Sequence, residues 1–246
     1  MGAGVVKNGE QVKLPKVFAG ILILSFLISI SACDKKELSY FPVSTGIEWR
    51  YRVELKSSGT SEQSRYYVRS QGEELFEGDK YHVHRSLTGA KTLFSLSDSK
   101  IERIGYIVKQ GQSSILLEDR ILLFPNPADE GSEWDSSIKT RLLIRKGAPG
   151  ESNILANVPA ENVIETVKET VVVPAGKFKN CMKITTNGFA FHSGTQHKSR
   201  TLVEIKESRW YAKGIGLVKS RRLETSTSDA FGTREEILEL ESFKLP

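Results

Sequence analysis

The sequence predicts an all-β protein, an antiparallel meander forming a curved sheet, half-open barrel or sandwich, preceded by one N-terminal signal-peptide helix. Three observations predict it. Apolar and polar residues alternate with a period of two along many short stretches, as in strands with one face buried and one wet. Glycines, prolines and Ser/Asn/Asp clusters separate those stretches at short intervals. Beyond the N-terminal apolar run, no stretch carries a 3.6-residue apolar stripe flanked by caps.

The chain opens with Lys7, Lys13 and Lys16, followed by the apolar or small run 17–32 (VFAGILILSFLISISA). A basic flank, an apolar core and small residues before a cut site make the three-part pattern of a secretory signal. The run is shorter than the ~20 residues a spanning helix needs, and Asp34, Lys35, Lys36 and Glu37 end it abruptly. The basic segment is long for a signal, and a translation start near Val12 is expected. Val6 stands where a myristoylation pattern needs Ser or Thr, so that route is not expected.

Ile30-Ser31-Ala32-Cys33 resembles the lipobox of bacterial lipoproteins. The resemblance implies cleavage between Ala32 and Cys33, and acylation of Cys33 as the first residue of the mature chain. Two or more acyl chains give stable anchoring, because each buried methylene adds ~0.8 kcal/mol. In enteric bacteria the Asp after the lipidated Cys, here Asp34, retains lipoproteins in the inner membrane. The expected organisation is a signal peptide over 1–32, a lipid-anchored tether over 33–39 and a single all-β domain over 40–246. A tether of that length reaches about 20 Å, at ~3.5 Å per residue, so the domain sits close to the membrane.

The domain begins at Tyr40-Phe41-Pro42 and Gly46. Ile47, Trp49, Tyr51, Val53 and Leu55 then point one way, and Glu48, Arg50, Arg52, Glu54 and Lys56 the other. A turn at 57–61 leads to a partner strand over 65–70 and a strand over 80–85, with Gly72 and Gly78 marking breaks. Further strands are expected over 92–97, 101–109, 115–124, 138–145, 163–173, 178–186, 201–211, 217–225 and 235–245, about 12 in all. Val163, Val167 and Val171 alternate less cleanly with Ile164, Lys168 and Val172, as in a strand covered on both faces. The loops 125–131 and 147–150 are the largest interruptions. Pro174-Ala175-Gly176 is a tight turn that joins its flanking strands as a hairpin, because Pro presets φ and Gly permits positive φ.

The chain has 35 Lys plus Arg against 30 Asp plus Glu, for a net charge of +5. Signal removal takes away three lysines and Glu10, leaving a mildly positive chain without any basic block. Nucleic acid is therefore not an expected partner. With Cys33 lipidated, Cys181 stands alone, and the fold is held by its core and strand ladders without an internal disulfide.

Three motifs occur together: Tyr40-Phe41-Pro42 with Gly46 and Trp49-Arg50-Tyr51; Val171-Val172-Val173-Pro174-Ala175-Gly176-Lys177-Phe178, continuing through Cys181 to Ile184; and Trp210-Tyr211-Ala212-Lys213-Gly214-Ile215-Gly216-Leu217. In combination they resemble a broad group of bacterial lipoproteins with an all-β periplasmic or surface domain. Some of that group are likened to the half-open barrels of periplasmic lipoprotein carriers and sigma-factor regulators. The resemblance implies fold and place in the cell envelope. It implies no catalytic residue.

Side chains able to do chemistry are few. His82 and His84 flank Val83 and project from one face, a spacing that can chelate a metal. Tyr81 and Val83 take the core side, which puts the pair on the wet face with nothing to complete a site. His192 and His197 meet them only by accident of the fold. Cys181 shares parity with Lys179 and Lys183, which can lower a thiol pKa, although a lone Cys is more often a buried small hydrophobe. Glu102, Glu118, Asp119, Glu204 and Glu207 are scattered as exposed positions would be. No His-Glu-x-x-His, Gly-x-Ser-x-Gly, phosphate loop or dinucleotide fingerprint is present. Trp49, Trp134, Trp210, Phe189 and Phe191 are expected in the core, with the lining of a cavity as the alternative.

No catalytic, cofactor or metal residue is therefore expected. The expected function is non-enzymatic: a lipoprotein of the cell envelope, tethered through Cys33, that holds a lipid or other apolar ligand in a β-cavity. The alternative is an interaction module for another envelope protein, and a hydrolase comes third.

Overall fold

The computed structural model describes residues 39–57, 59–107, 115–145, 154–193, 200–229 and 231–246, with Met1, Gly2 and Gly4. The apolar run, the lipobox with Ala32 and Cys33, and most of the tether lie outside the described residues. So do the loop 147–150 and the end of the strand expected over 101–109. Leu38–Pro246 forms one compact unit.

That unit is all-β. Its strands are β1 (Glu48–Ser57), β2 (Thr60–Phe76), β3 (Asp79–Ser86), β4 (Lys91–Leu96), β5 (Lys100–Ile107), β6 (Ile115–Pro125), β7 (Glu133–Arg145), β8 (Ile154–Val173), β9 (Gly176–Ser193), β10 (Arg200–Ala212), β11 (Gly216–Ser226) and β12 (Thr233–Lys244). They form one antiparallel sheet in the order β6-β5-β4-β3-β2-β1-β12-β11-β10-β9-β8-β7. Every neighbour but one is the next strand in sequence, and the exception is β1 pairing with β12. The sheet is therefore two meanders joined at their outer ends. Its two edges, β6 and β7, are consecutive in the chain, and the sheet rolls so that they approach in a nearly closed barrel. The Trp134 indole of β7 donates to the Leu122 carbonyl of β6 at 3.3 Å.

The alternation in β1 directs Trp49 and Tyr51 inward and leaves Arg50 and Arg52 exposed. On the wet side Arg52 pairs with Glu239 at 2.7 Å, and Arg50 and Arg65 both reach Glu241. Such exposed pairs align strands and are worth little individually, at a median of about 0–1 kcal/mol. The inner face carries one cluster around Trp49, Tyr51, Val171, Cys181, Val218 and Leu240. A second gathers Phe41, Phe94, Phe124, Ile184 and Tyr211 from both meanders. Tyr81, Val83, Leu93 and Ile104 form a third cluster.

The structure departs from the sequence expectation at Gly72. The strand does not break there but runs on to Phe76 through a bulge between Ser70 and Gly72. Gly72 has φ +79, and a Cβ on it would lie 2.2 Å from the Thr45 hydroxyl oxygen. The backbone conformation and the close approach both require glycine. The Val173–Gly176 hairpin forms as expected, with Val173 opposite Gly176.

Gly72→Ala is expected to lower the unfolding free energy by about 1–3 kcal/mol, the range for a strained backbone position. Adding Thr45→Ala removes the clash but not the φ strain. Urea unfolding of the single and double variants should therefore show partial recovery only.

Candidate functional site

His84 lies in an aromatic enclosure, which corrects its placement on the wet face. Its ring stacks on Phe41 with centroids 5.3 Å apart and planes 2° from parallel. Trp49 and Phe94 approach at 5.0 and 4.8 Å. Both faces of β3 are thus covered, Val83 on one side and His84 on the other, and alternation alone cannot reveal that. Burial pushes the His84 pKa down to about 4, with His82 adding to the effect. Its Nε2 is buried without a hydrogen-bond partner. His82 faces Glu73 at 3.5 Å, and burial lowers its pKa against the pull of that carboxylate. Among the described residues no three His, Cys, Asp or Glu side chains gather as metal ligands. The His192 side chain and the whole of His197 lie outside the described residues.

Cys181 is fully buried, as expected of a lone cysteine, although its parity aligned it with Lys179 and Lys183. Asn180 adopts a left-handed conformation (φ 54), and the two residues after it, Cys181 and Met182, are both fully buried. Burial pushes the thiol up to about 11, against the reactivity that flanking lysines would confer. Trp49 is a core residue, as expected. Phe189 and Phe191 are not, being 64% and 55% exposed.

The carboxylates divide. Glu204 is exposed. Glu102 is buried, contrary to expectation, and bonds Lys100 at 2.8 Å. Glu207 points inward, because Val203, Ile205, Glu207 and Arg209 share the inner parity of β10. The side chains of Glu118 and Asp119 lie outside the described residues.

A polar belt crosses the inner face behind the aromatic cluster, and most of its members escaped the sequence reading. On β8, Asn162 donates to Ser136 Oγ at 2.8 Å and to the Trp134 carbonyl at 3.1 Å, both on β7. Thr186 of β9 donates to Asn162 Oδ1 at 2.6 Å. Arg209 of β10 donates Nη2 to Thr186 at 3.2 Å and to Asn162 at 3.4 Å. Glu207 stands 3.9 Å from both Arg209 and Arg222, beyond hydrogen-bond length. Glu224 of β11, only 1% exposed, accepts from Arg222 Nε at 2.8 Å, Thr140 Oγ1 at 2.7 Å and the Arg141 backbone N–H at 2.8 Å. Arg222 also donates to the Lys139 carbonyl.

Arg103 of β5, in the other meander, lies within electrostatic range of Arg209 and Glu207. Burial and the neighbouring Arg209 charge push its pKa down. Burial also opposes the charge on Arg209, but Tyr211 and Glu207 outweigh it and hold that guanidinium firmly cationic. The Nε atoms of Arg103 and Arg209 are buried with no hydrogen-bond partner. The available sequence signal was charge at inward parity: Glu207 and Arg209 follow Val203 and Ile205 two by two, and Arg222 and Glu224 follow Val218. On the outside, a groove of about 550 Å³ is lined by Arg50, Arg65, Tyr66, Tyr67, Leu87 and their neighbours.

The class that fold and site define is a rolled antiparallel β-sheet protein with a filled, partly charged interior. Residues 107–227 match a family model described as DUF3108-like. The fold is similar to a "putative lipoprotein" of Parabacteroides distasonis, at 16% identity and a TM-score of 0.42, over 84% of this chain and 99% of that one. It is also similar to a "putative exported protein with YmcC-like fold" of Bacteroides fragilis, at 15% identity and a TM-score of 0.41, over 85% and 100%. No curated protein matches. Among the described residues, no helix is long and apolar enough to cross a membrane.

The His84 environment makes stability pH-dependent. The unfolded chain protonates this group near 6.5, whereas the folded chain does so only near 4. Its contribution is whole above pH 6.5 and is lost as pH falls toward 4, on the order of 3 kcal/mol at the limit. Urea midpoints between pH 7 and 4 should fall in the wild type and flatten in His84→Phe. Separately, Glu224→Leu should cost about 3–5 kcal/mol, because it strands Arg222 and an edge N–H.

Proposed function

We propose that this chain is a bacterial envelope lipoprotein, held to a membrane by lipid on Cys33, whose β-unit is a non-enzymatic interaction module for another envelope protein. The anchor rests on Ile30-Ser31-Ala32-Cys33 and the apolar run before it. The module rests on one observation, a filled interior. Val83, Leu93, Ile164, Met182, Ile184, Val203 and Ile205 are sealed from solvent, and the inward aromatics pack on one another. Such packing supports a rigid platform that presents its outer surface rather than a lumen for an apolar ligand. The groove beside Tyr66 and Leu87, with Arg50 and Arg65 on its wall, offers a contact face with apolar and charged parts.

Cys33→Ala should release the protein from the membrane fraction in cells, read by detergent partitioning. Retention with the signal uncut would instead mean anchoring by the apolar run. A photo-crosslinking residue at Leu87 of the lipidated protein should capture a discrete envelope partner. Native mass spectrometry that finds a stoichiometric apolar ligand would overturn the module and restore the ligand-holding role.

A further inference from the structure

The segment before β1 is pinned to one end of the rolled sheet. The Ser39 carbonyl accepts from the Gly214 N–H, in the β10–β11 turn, at 2.8 Å. The Tyr40 hydroxyl donates to the Asn180 carbonyl, just past the β8–β9 turn, at 3.3 Å. Lys213 Nζ stands 5.4 Å from the centre of the Tyr40 ring. The chain from Cys33 to Ser39 reaches about 20 Å at most, so a lipid on Cys33 keeps this end within that distance of the membrane. The surface around Ser39 is basic. Lys177, Lys179 and Lys213 are all exposed. No acidic residue occurs between Thr170 and Asn180, or between Ser208 and Leu223. The exposed acidic turn residues Glu77, Asp79 and Asp98 belong to the first meander. Asp34-Lys35-Lys36-Glu37 in the tether nets no charge, so the basic character belongs to the two hairpins.

We propose that this end of the β-unit, the β8–β9 hairpin with Lys177 and Lys179 and the β10–β11 turn with Lys213, rests on the anionic lipid surface of the membrane that holds the anchor. The inference depends on the lipidation of Cys33 proposed above. Three lysines are too few to bring a free protein to a membrane. An anchored domain is already there at high effective concentration, and the lysines need only select one orientation among those the tether allows. Val172 of the same hairpin, 66% exposed, adds an apolar side chain suited to the headgroup boundary. In this orientation the β1–β2 turn lies at the far end of β1, ~30 Å along the strand from Glu48, and points away from the membrane.

The test uses the full-length lipidated protein in vesicles. A fluorophore is attached through Val172→Cys or, as the distal control, Thr60→Cys; the buried Cys181 thiol stays unlabelled. Lipids with a nitroxide in the headgroup quench a probe that lies at the membrane surface. In vesicles containing phosphatidylglycerol the Val172 probe should be quenched far more strongly than the Thr60 probe. The difference should shrink in phosphatidylcholine alone and at high salt. Lys177→Glu with Lys179→Glu should lower the docked population at least about tenfold, because each lysine near an anionic surface counts and both are reversed. Lys213 is left intact in this variant because it also packs on Tyr40. The mass of the peptide that begins at Cys33 reports acylation independently. Protein without acyl chains overturns the anchor, and this orientation with it. Acylated protein whose Val172 probe is quenched no more than the Thr60 probe, or whose quenching ignores both phosphatidylglycerol and the two lysines, overturns the orientation and leaves the anchor standing.

Discussion

A rolled sheet that stops short of closing must still satisfy the backbone of its two edges, and this constraint shapes the molecule. Unpaired N–H and C=O groups cost free energy when buried and invite foreign strands when exposed. Here side chains satisfy part of the edge-strand backbone, including the stretch where β7's pairing with β8 is interrupted between Lys139 and Ile144. Glu224 accepts the Arg141 N–H and Arg222 donates to the Lys139 carbonyl, both on edge strand β7. Trp134 donates to the Leu122 carbonyl of β6. A carboxylate facing inward at Glu224 in turn requires Arg222 as its partner.

The closure divides the interior. Around Trp49, His84, Phe41, Phe94 and Tyr211 the space is apolar and aromatic, and it is full. His84 remains neutral there because a charged imidazole among rings would lose its hydration with no carboxylate to replace it. Across Asn162, Thr186, Arg209, Glu207 and Arg222 the interior is polar and partly wet. Rigidity comes from the first region. The second holds the paired charges of Arg209, Glu207, Arg222 and Glu224, and the outer surface holds the groove.

Much of the fold was legible in the sequence. The period-two alternation in β1, the Pro174-Ala175 turn and the spacing of the turns define strands and hairpins through local rules, and those rules hold. Legibility failed where one residue shifted the parity. The bulge at Gly72 carried β2 past its expected end. It failed again at β3, where two covered faces imitate a wet one. The belt was written as inward-parity charges in β10 and β11, but a charge at one position reads as surface unless its partner is known. Arg209's neighbours come from β8 and β9, and Arg103 arrives from β5, more than a hundred positions away in sequence.

The sequence by itself determined the all-β class, the meander order, the turn chemistry and the lipobox resemblance, because each depends on residues close together in the chain. Tertiary structure alone decided that β1 pairs with β12, that the edges β6 and β7 approach each other, and that Arg209, Glu207 and Arg222 lie together. Those outcomes depend on the curvature of the whole sheet, which sums small twists over every strand, and no single segment encodes that sum.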